Sequence, residues 1–404
     1  MKLLILLLLI SFPLGHLARI EITSGVALYV HDIVAASMLL AVFIDSVKKR
    51  KLPSGRLTVP ILMFFLVATL SLLMGVNTVE PRQAVIGGLY LVRWIAHAGV
   101  YFYLLKYLRI HKDLTFLRRT YTLREALLIS GLVLATFGLT QYVLFPDLTQ
   151  LKWLGWDDHY YRLAGTILDP GFTGILLVLT AFLALETKLT RKVKLVAVSM
   201  PVAALLLTYS RASYLAFLLG SLVFAFMKRK LRKALIIGAI FLGTLFLLPQ
   251  AQSEGTNLLR LYSLFQRIET WNQAVVIVRE HPVFGVGFNL MRSTKRQYGF
   301  VGEDWKTSHS ASGIDNSYLF VSATTGFIGL AAYLTLLYRM IRLGLKDTKR
   351  KQTQKASMLA SISAVSIHAL FNNTWFYPWV MLWMWYLLAE TEAGQLRKIT
   401  TLQK

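Results

Sequence analysis

Cysteine is absent from the chain, which removes disulfide staples, thiolate nucleophiles, zinc–thiolate centres and thiol redox chemistry from consideration. Charge is scarce as well: 16% of the 404 residues are charged, 55% are hydrophobic and mean hydropathy is +0.55. That balance is too apolar for an ordinary soluble domain, so most of the chain is expected to face lipid. The strict apolar–polar alternation of a membrane β-barrel is missing too. Apolar residues fall instead in runs of about 20, for which helices with internally satisfied backbone hydrogen bonds are the expected spans. No internal repeat appears, and no low-complexity tract beyond the leucine-rich start.

The runs centre on 2–18, 25–45, 58–76, 83–105, 125–145, 164–186, 195–209, 212–227, 234–249, 314–338, 356–371 and 375–390. They predict an all-α membrane protein of about 12 transmembrane helices with one large, partly helical extracytoplasmic loop. Helices 1–9 fill residues 1–249, the loop spans 250–313, and helices 10–12 with a cytoplasmic tail occupy 314–404. Residues 1–18 are expected to be an uncleaved first span rather than a signal peptide, because no small-residue cleavage site follows them.

Acidic residues are the scarcer sign, 20 against 44 Lys and Arg, for a net charge of +24. In a soluble protein that excess would suggest nucleic acid; here its position along the topology decides. Alternate loops carry Lys48-Lys49-Arg50-Lys51, Arg118-Arg119 with Arg124, Arg191-Lys192 with Lys194, Lys228-Arg229-Lys230 with Arg232-Lys233, and Lys349-Arg350-Lys351. All fall on one side, which holds about 31 of the 44 Lys and Arg against about 12 opposite. That side, with both termini, is expected to face the cytoplasm of a multi-pass bacterial inner-membrane protein. Attraction to anionic lipid then accounts for the charge, and no nucleic-acid partner is expected.

On the opposite side, the long connection 250–313 is the expected place for a site. It is mildly basic, with Arg260, Arg267, Arg279, Arg292, Lys295, Arg296 and Lys306 against Glu254, Glu269, Glu280, Glu303 and Asp304, although topology does not demand positive charge there. A solvated amphipathic helix is one explanation, since Leu258, Leu261, Leu264, Phe265 and Ile268 recur at helical spacing. An anion site is the other. A helix continues through Trp271 to Arg279 and should stop at His281-Pro282, before a Gly285-Val-Gly287 turn. That GxG lacks the strand–turn–helix context of a nucleotide fingerprint, so nucleotide binding is rejected.

Arg211 follows Thr208-Tyr-Ser at the outer membrane boundary, where the structural alternative is a snorkelling interfacial arginine. Within the spans, Arg93 and His97 lie i and i+4 on one face. An intramembrane arginine needs a partner, and Asp32 in the second span is expected to supply it, as a brace rather than as a catalytic group. Gly326-Phe-Ile-Gly329 reads as a close helix–helix contact. The cluster Trp375, Tyr377, Trp379, Trp383 and Trp385 reads as an interfacial aromatic belt.

In Thr208-Tyr-Ser-Arg211, Arg267-x-x-x-Trp271, Pro282-x-x-Gly285-x-Gly287 and Asp315-Asn316-Ser-Tyr-Leu319 followed by Gly326-Phe-Ile-Gly329-Leu330, the chain resembles the O-antigen ligase and polymerase superfamily. Arg162-Leu-Ala-Gly165-Thr with Asp169-Pro170 looks like the family's element before the sixth span. The resemblance covers roughly the C-terminal 250 residues, and its specificity lies in the order and spacing of the motifs. It implies a metal-independent glycosyltransferase without cofactor. Such an enzyme takes a saccharide from undecaprenyl diphosphate and passes it to an acceptor glycan or glycolipid, as in ligases and polymerases of O-antigen, exopolysaccharide and lipopolysaccharide biosynthesis. It places Arg211 and Arg267 on the diphosphate; Arg162, Arg260, Arg279, Asn316 and Trp271 are further candidate substrate-binding residues.

The chemistry agrees with the residues. Displacing a diphosphate from an anomeric carbon builds negative charge that arginine forks can hold. The acceptor hydroxyl needs a general base, and His309 and Asp315 are the candidates. The ligase pattern has a histidine directly before the asparagine, where this chain has Asp315. An Asp-Asn pair at a helix start also reads as a cap, so base and cap both stand. The aspartate tilts the reading from ligase toward polymerase or another oligosaccharide transferase. The rival from another class is a transporter or flippase of lipid-linked oligosaccharide.

Overall fold

A computed structural model describes residues 1–23, 26–111, 113–116, 119–154, 156–249, 253–306, 313–345 and 355–402. The chain is an all-α membrane fold in which each of the twelve apolar runs carries one helix. These are α1 (Lys2–Ser11), α2 (Val30–Lys49), α3 (Thr58–Gly75), α4 (Pro81–Ile110), α5 (Leu123–Leu144), α6 (Pro170–Glu186), α7 (Arg191–Leu206), α8 (Arg211–Lys228), α9 (Leu231–Leu245), and, after the long connection, α12 (Ser317–Leu345), α13 (Ala356–His368) and α14 (Pro378–Leu402). Among the described residues six helical segments are long and apolar enough to cross a membrane: α2, α3 with the turn after it, α4, α5, α8 and α12. The long connection carries α10 (Tyr262–Glu280) and α11 (Met291–Gln297).

Local chemistry sets several starts. Asp169 caps α6, its Oδ1 accepting from Phe172 N at 2.9 Å, and Pro170 takes the first turn, where its missing N–H costs nothing. Thr122 and Glu125 form a reciprocal capping box at α5. Two short hairpins interrupt the helical plan. Strands Arg19–Thr23 and Val26–Tyr29 pair antiparallel, as do Asp113–Phe116 and Arg119–Thr122. The expected run 25–45 therefore opens in a strand, where Val26 and Leu28 alternate with smaller and polar neighbours, and turns helical only at Val30.

The reading of Gly326-Phe-Ile-Gly329 as a contact between spans is corrected by the geometry. Gly326 has φ 66° and ψ −171° and breaks α12. The turn after α10 fits into the break: Val286 N donates to Ala323 O at 3.0 Å, Gly287 N to Thr324 O at 3.1 Å and Phe327 N to Pro282 O at 2.8 Å. Ser71 of α3 adds a donor to Thr324 O at 2.6 Å. Backbone groups freed by the break are thus satisfied inside protein, the condition under which a helix can be interrupted at membrane depth. A Cβ on Gly285 would lie 2.4 Å from the Thr324 carbonyl carbon, so the docked turn needs glycine there.

At the opposite end of the bundle, five helices are tied by one ionic network. Arg124 at the start of α5 meets Glu390 of α14 at 2.7 Å and Glu186 at the end of α6 at 3.6 Å. Lys228 at the end of α8 meets Glu186 at 2.6 Å. The Ser357 N and Oγ, at the start of α13, donate to Glu186 at 2.9 and 2.6 Å. Alternating helix directions bring these termini to one face, the face that also carries the basic loops.

Candidate functional site

The site is built where α6, α8, α10, α12 and the α13–α14 turn converge. Ser210 caps α8, and Arg211 is its first residue, so the guanidinium leaves from a fixed helix start. It donates to Arg260 O at 2.9 Å, Leu258 O at 3.3 Å and Ser263 Oγ at 2.7 Å, which pins the segment entering α10. Arg162 is anchored through Nε to Thr208 O at 3.1 Å, on the turn just before Arg211. Arg267, half-buried on α10, has no side-chain hydrogen bond among the described residues. Its charge acts on Arg162, Arg211, Asp315 and His368, so these four groups surround it. None of the three arginines has a carboxylate at ion-pair distance among the described residues.

Asp315 faces them. Asn316, not Asp315, caps α12: its Oδ1 accepts from Tyr318 N at 2.9 Å and Leu319 N at 3.1 Å. The Asp315 carboxyl is therefore left uncapped, while its backbone carbonyl accepts the Trp271 indole N–H at 3.1 Å. The side chain is exposed to the cleft yet crowded by protein. Loss of hydration pushes its pKa above the ordinary carboxylate value, and the Arg267 and Lys295 cations pull it back. Lys295 is itself buried and lowered to about 8, with Nζ donating to Gly313 O at 2.8 Å. Burial also lowers Arg162, opposed by the charge of Asp169.

The remaining expected residues divide. Arg260 directs its guanidinium to the Gly255, Asn257 and Tyr209 carbonyls and braces the loop against the α7–α8 turn. Arg279 is exposed, three turns and about 18 Å along the α10 axis from Arg267, and is not brought into the cluster. Trp271 positions Asp315, and Asn316 caps. His309 lies outside the described residues. Sequence reasoning missed the floor of the cleft, where buried His368 contacts Ser213 Oγ at 3.2 Å, Thr374 Oγ1 at 2.7 Å and Asn372 Nδ2 at 3.4 Å. A histidine ending an apolar helix gives no signal until the fold sets it beside Arg267.

A separate small cavity of about 70 Å³ opens between α4 and the docked turn, lined by Tyr90, Arg93, Trp94, Phe288, Asn289 and Phe376 among others. Arg93 there donates to Asp32 Oδ2 at 2.8 Å, as its intramembrane position requires.

Three guanidiniums gathered about Arg267, none with a carboxylate at ion-pair distance among the described residues, have the make-up of a site for a polyanionic ligand. Residues 195–334, which hold Arg211, Arg267 and Asp315, match the model of the O-Antigen ligase family. A Rickettsia bellii protein named "Putative polysaccharide ligase" is 26% identical over 191 residues, 44% of this chain and 46% of that protein, so the chain spans about half the length of the curated relative it matches. These findings support the resemblance to the O-antigen ligase superfamily that the chain's motifs carry.

Proposed function

We propose that the protein is an integral-membrane glycosyltransferase that moves a saccharide from undecaprenyl diphosphate to an acceptor glycan or glycolipid. The observation that carries this reading is the gathering of Arg162 and Arg211 about Arg267, none with a carboxylate at ion-pair distance among the described residues, with the Asp315 carboxyl beside Arg267. In the proposed step the acceptor hydroxyl gives its proton to Asp315, or to His309, and its oxygen bonds to the anomeric carbon. The bond from that carbon to the diphosphate oxygen breaks, and the electron pair leaves with the diphosphate into the arginine cluster. Guanidiniums supply there the positive charge that a divalent cation supplies in other transferases, so the step is read as metal-independent. The lipid half of the donor also has a place: Leu259, Leu261, Leu264, Phe265 and Ile268 are exposed beside Arg267, an apolar strip suited to a polyprenyl chain.

This reading includes twelve spans, both termini and the basic loops in the cytoplasm, and the arginine cluster at the outer surface of the inner membrane. A ligase and a polymerase differ only in the acceptor, and Asp315 in place of a histidine favours the polymerase.

One observation favours a transporter: discontinuous helices mark many transporter substrate sites, and α12 is broken at Gly326. The break here is filled by the chain's own turn at 282–287 rather than by a cavity, which favours the enzyme. Purified protein in detergent, given labelled carrier-linked saccharide and acceptor, separates the two. The enzyme releases free carrier diphosphate and elongated acceptor; unchanged donor with a verified acceptor would overturn the transferase reading.

A further inference from the structure

The buried polar groups of α2 and α4 carry a second site that the transfer chemistry does not use. His31 and His97 are 0% exposed and Asp32 is 7% exposed. Asp32 Oδ2 is occupied, accepting from Arg93 Nη2 at 2.8 Å and from Tyr29 N at 3.1 Å. Asp32 Oδ1 has no hydrogen-bond partner, nor do His97 Nε2 and both ring nitrogens of His31. These are the atoms that face one another: His97 Nε2 lies 3.5 Å and His31 Nε2 3.8 Å from Asp32 Oδ1.

The tautomer of His97 sharpens the problem. Its Nδ1 lies 2.7 Å from Arg93 O, and a carbonyl only accepts, so Nδ1 carries the proton and Nε2 presents a lone pair. In the neutral ring two acceptors then confront each other in a dry interior, which is repulsive unless a cation stands between them. A second proton is one such cation, but an N–H···O⁻ bond would draw the atoms to about 2.7–2.9 Å. The observed gaps instead approximate the edge of a tetrahedron of zinc–ligand bonds, about 3.4 Å for bonds of about 2.0–2.1 Å. The bond from His97 Nδ1 to a backbone carbonyl is also the support a metal-binding histidine ordinarily has, and the arginine on Oδ2 plays the same part for Asp32.

We propose that His31 Nε2, His97 Nε2 and Asp32 Oδ1 bind a first-row divalent cation of the zinc class, with its fourth position open to water. The ligand atoms lie within 4.8 Å of one another, so small rotamer shifts complete the set. Tyr29, stacked on His31 at 5.2 Å, and Trp379, edge-on at 4.6 Å, wall the site with aromatic rings. The metal ties the start of α2 to the middle of α4, and the proposal stands apart from the transferase reading.

The test uses full-length protein carrying an affinity tag without histidine, solubilised in detergent, equilibrated with zinc and desalted. Elemental analysis is expected to find about one zinc per chain in the wild type and under about a tenth of that in His97→Ala. Because that variant can fail through misfolding, cobalt(II) is added to the wild type as a second readout. Visible absorption of low-coordinate cobalt, lost in the milder His31→Gln, is expected. Monodisperse wild-type protein that retains less than about a tenth of an equivalent of zinc and gives no such cobalt spectrum would overturn the site. A proton or water would then be what separates the facing lone pairs. Zinc equally retained by His97→Ala and His31→Gln would overturn it too.

Discussion

The two ends of the helix bundle hold charge in opposite ways. At the basic-loop end, Arg124, Lys228, Glu186 and Glu390 answer one another, and each cation there meets a carboxylate within 3.6 Å. At the other end, Arg162, Arg211 and Arg267 crowd together with no carboxylate at ion-pair distance among the described residues. Placing three like charges close together is unfavourable, and nothing in folding requires it. A self-contained network serves the scaffold; an incomplete one is arranged for charge that arrives with a ligand. Hydrogen bonding adds to the contrast, since Arg211 spends part of its guanidinium on the entrance to α10 whereas Arg267 spends none among the described residues.

The largest effect is expected from attacking the closed network. Glu186 is 2% exposed and joins Arg124, Lys228 and Ser357. Glu186→Ala leaves buried cations short of a partner and should cost about 3–5 kcal/mol of stability. The protein that remains folded should transfer saccharide at a rate within a few-fold of wild type. Thermal unfolding in detergent, read alongside turnover per folded molecule, checks both halves. An unaltered melting temperature would show the network to be dispensable.

Attacking the open cluster should do the reverse. Arg267→Ala is expected to lower turnover by about 10²–10³-fold, the size seen when one preorganised charge-stabilising donor is lost, with little change in melting. Arg211→Ala should lose at least as much activity and also loosen the segment 258–263 that it holds. Full turnover in Arg267→Ala would end the arginine mechanism.

This contrast also marks what a sequence can disclose. The helical plan was legible because apolar runs of span length are local signals, and the ordered motifs are what singled out Arg211 and Arg267 as candidate anion binders. Arg93 with Asp32 was legible because an intramembrane arginine demands a partner, and the pair forms at 2.8 Å. The break at Gly326 was not, because small-xxx-small spacing suits a helix contact and a docked turn equally well. Neither was the ring around Arg267: Arg162, Arg211, Asp315 and His368 come from four stretches far apart in the chain, and only the fold decides that Arg279, equally basic, is left out. Which of Asp315 and Asn316 caps α12 turned on which side chain accepts the Tyr318 and Leu319 N–H groups, a matter of atoms rather than of residue types.

Asp315 refines the comparison, as the acidic group beside Arg267. Burial raises its pKa and the neighbouring cations lower it, so the raised value means that the carboxylate form is lost earlier as pH falls than for an ordinary aspartate. If this carboxylate takes the acceptor proton, turnover should decline on the acid side with an apparent pKa above about 3.9. Asp315→Asn should then lower turnover by about 10²-fold and flatten that limb. An asparagine variant with an unchanged pH profile would assign the proton to another group, such as His309.

The smallest effect belongs to the arginine that composition alone would have grouped with the others. Arg279 ends α10, exposed and about 18 Å along the axis from Arg267, a separation beyond the screening length of about 8 Å at physiological salt. Its charge there complements the helix C-terminus, a contribution of about 0.3–1 kcal/mol at an exposed site. Arg279→Ala is therefore expected to keep turnover within about twofold of wild type and to change melting only slightly. Side-by-side assay with Arg267→Ala makes the decisive measurement. If removing either charge cost the same activity, the loop would be acting as a diffuse basic surface. A loss confined to Arg267 would locate the binding of the anion in the cluster of guanidiniums around Arg267, because the two side chains share a helix, a charge and a chemistry and differ only in where the fold aims them.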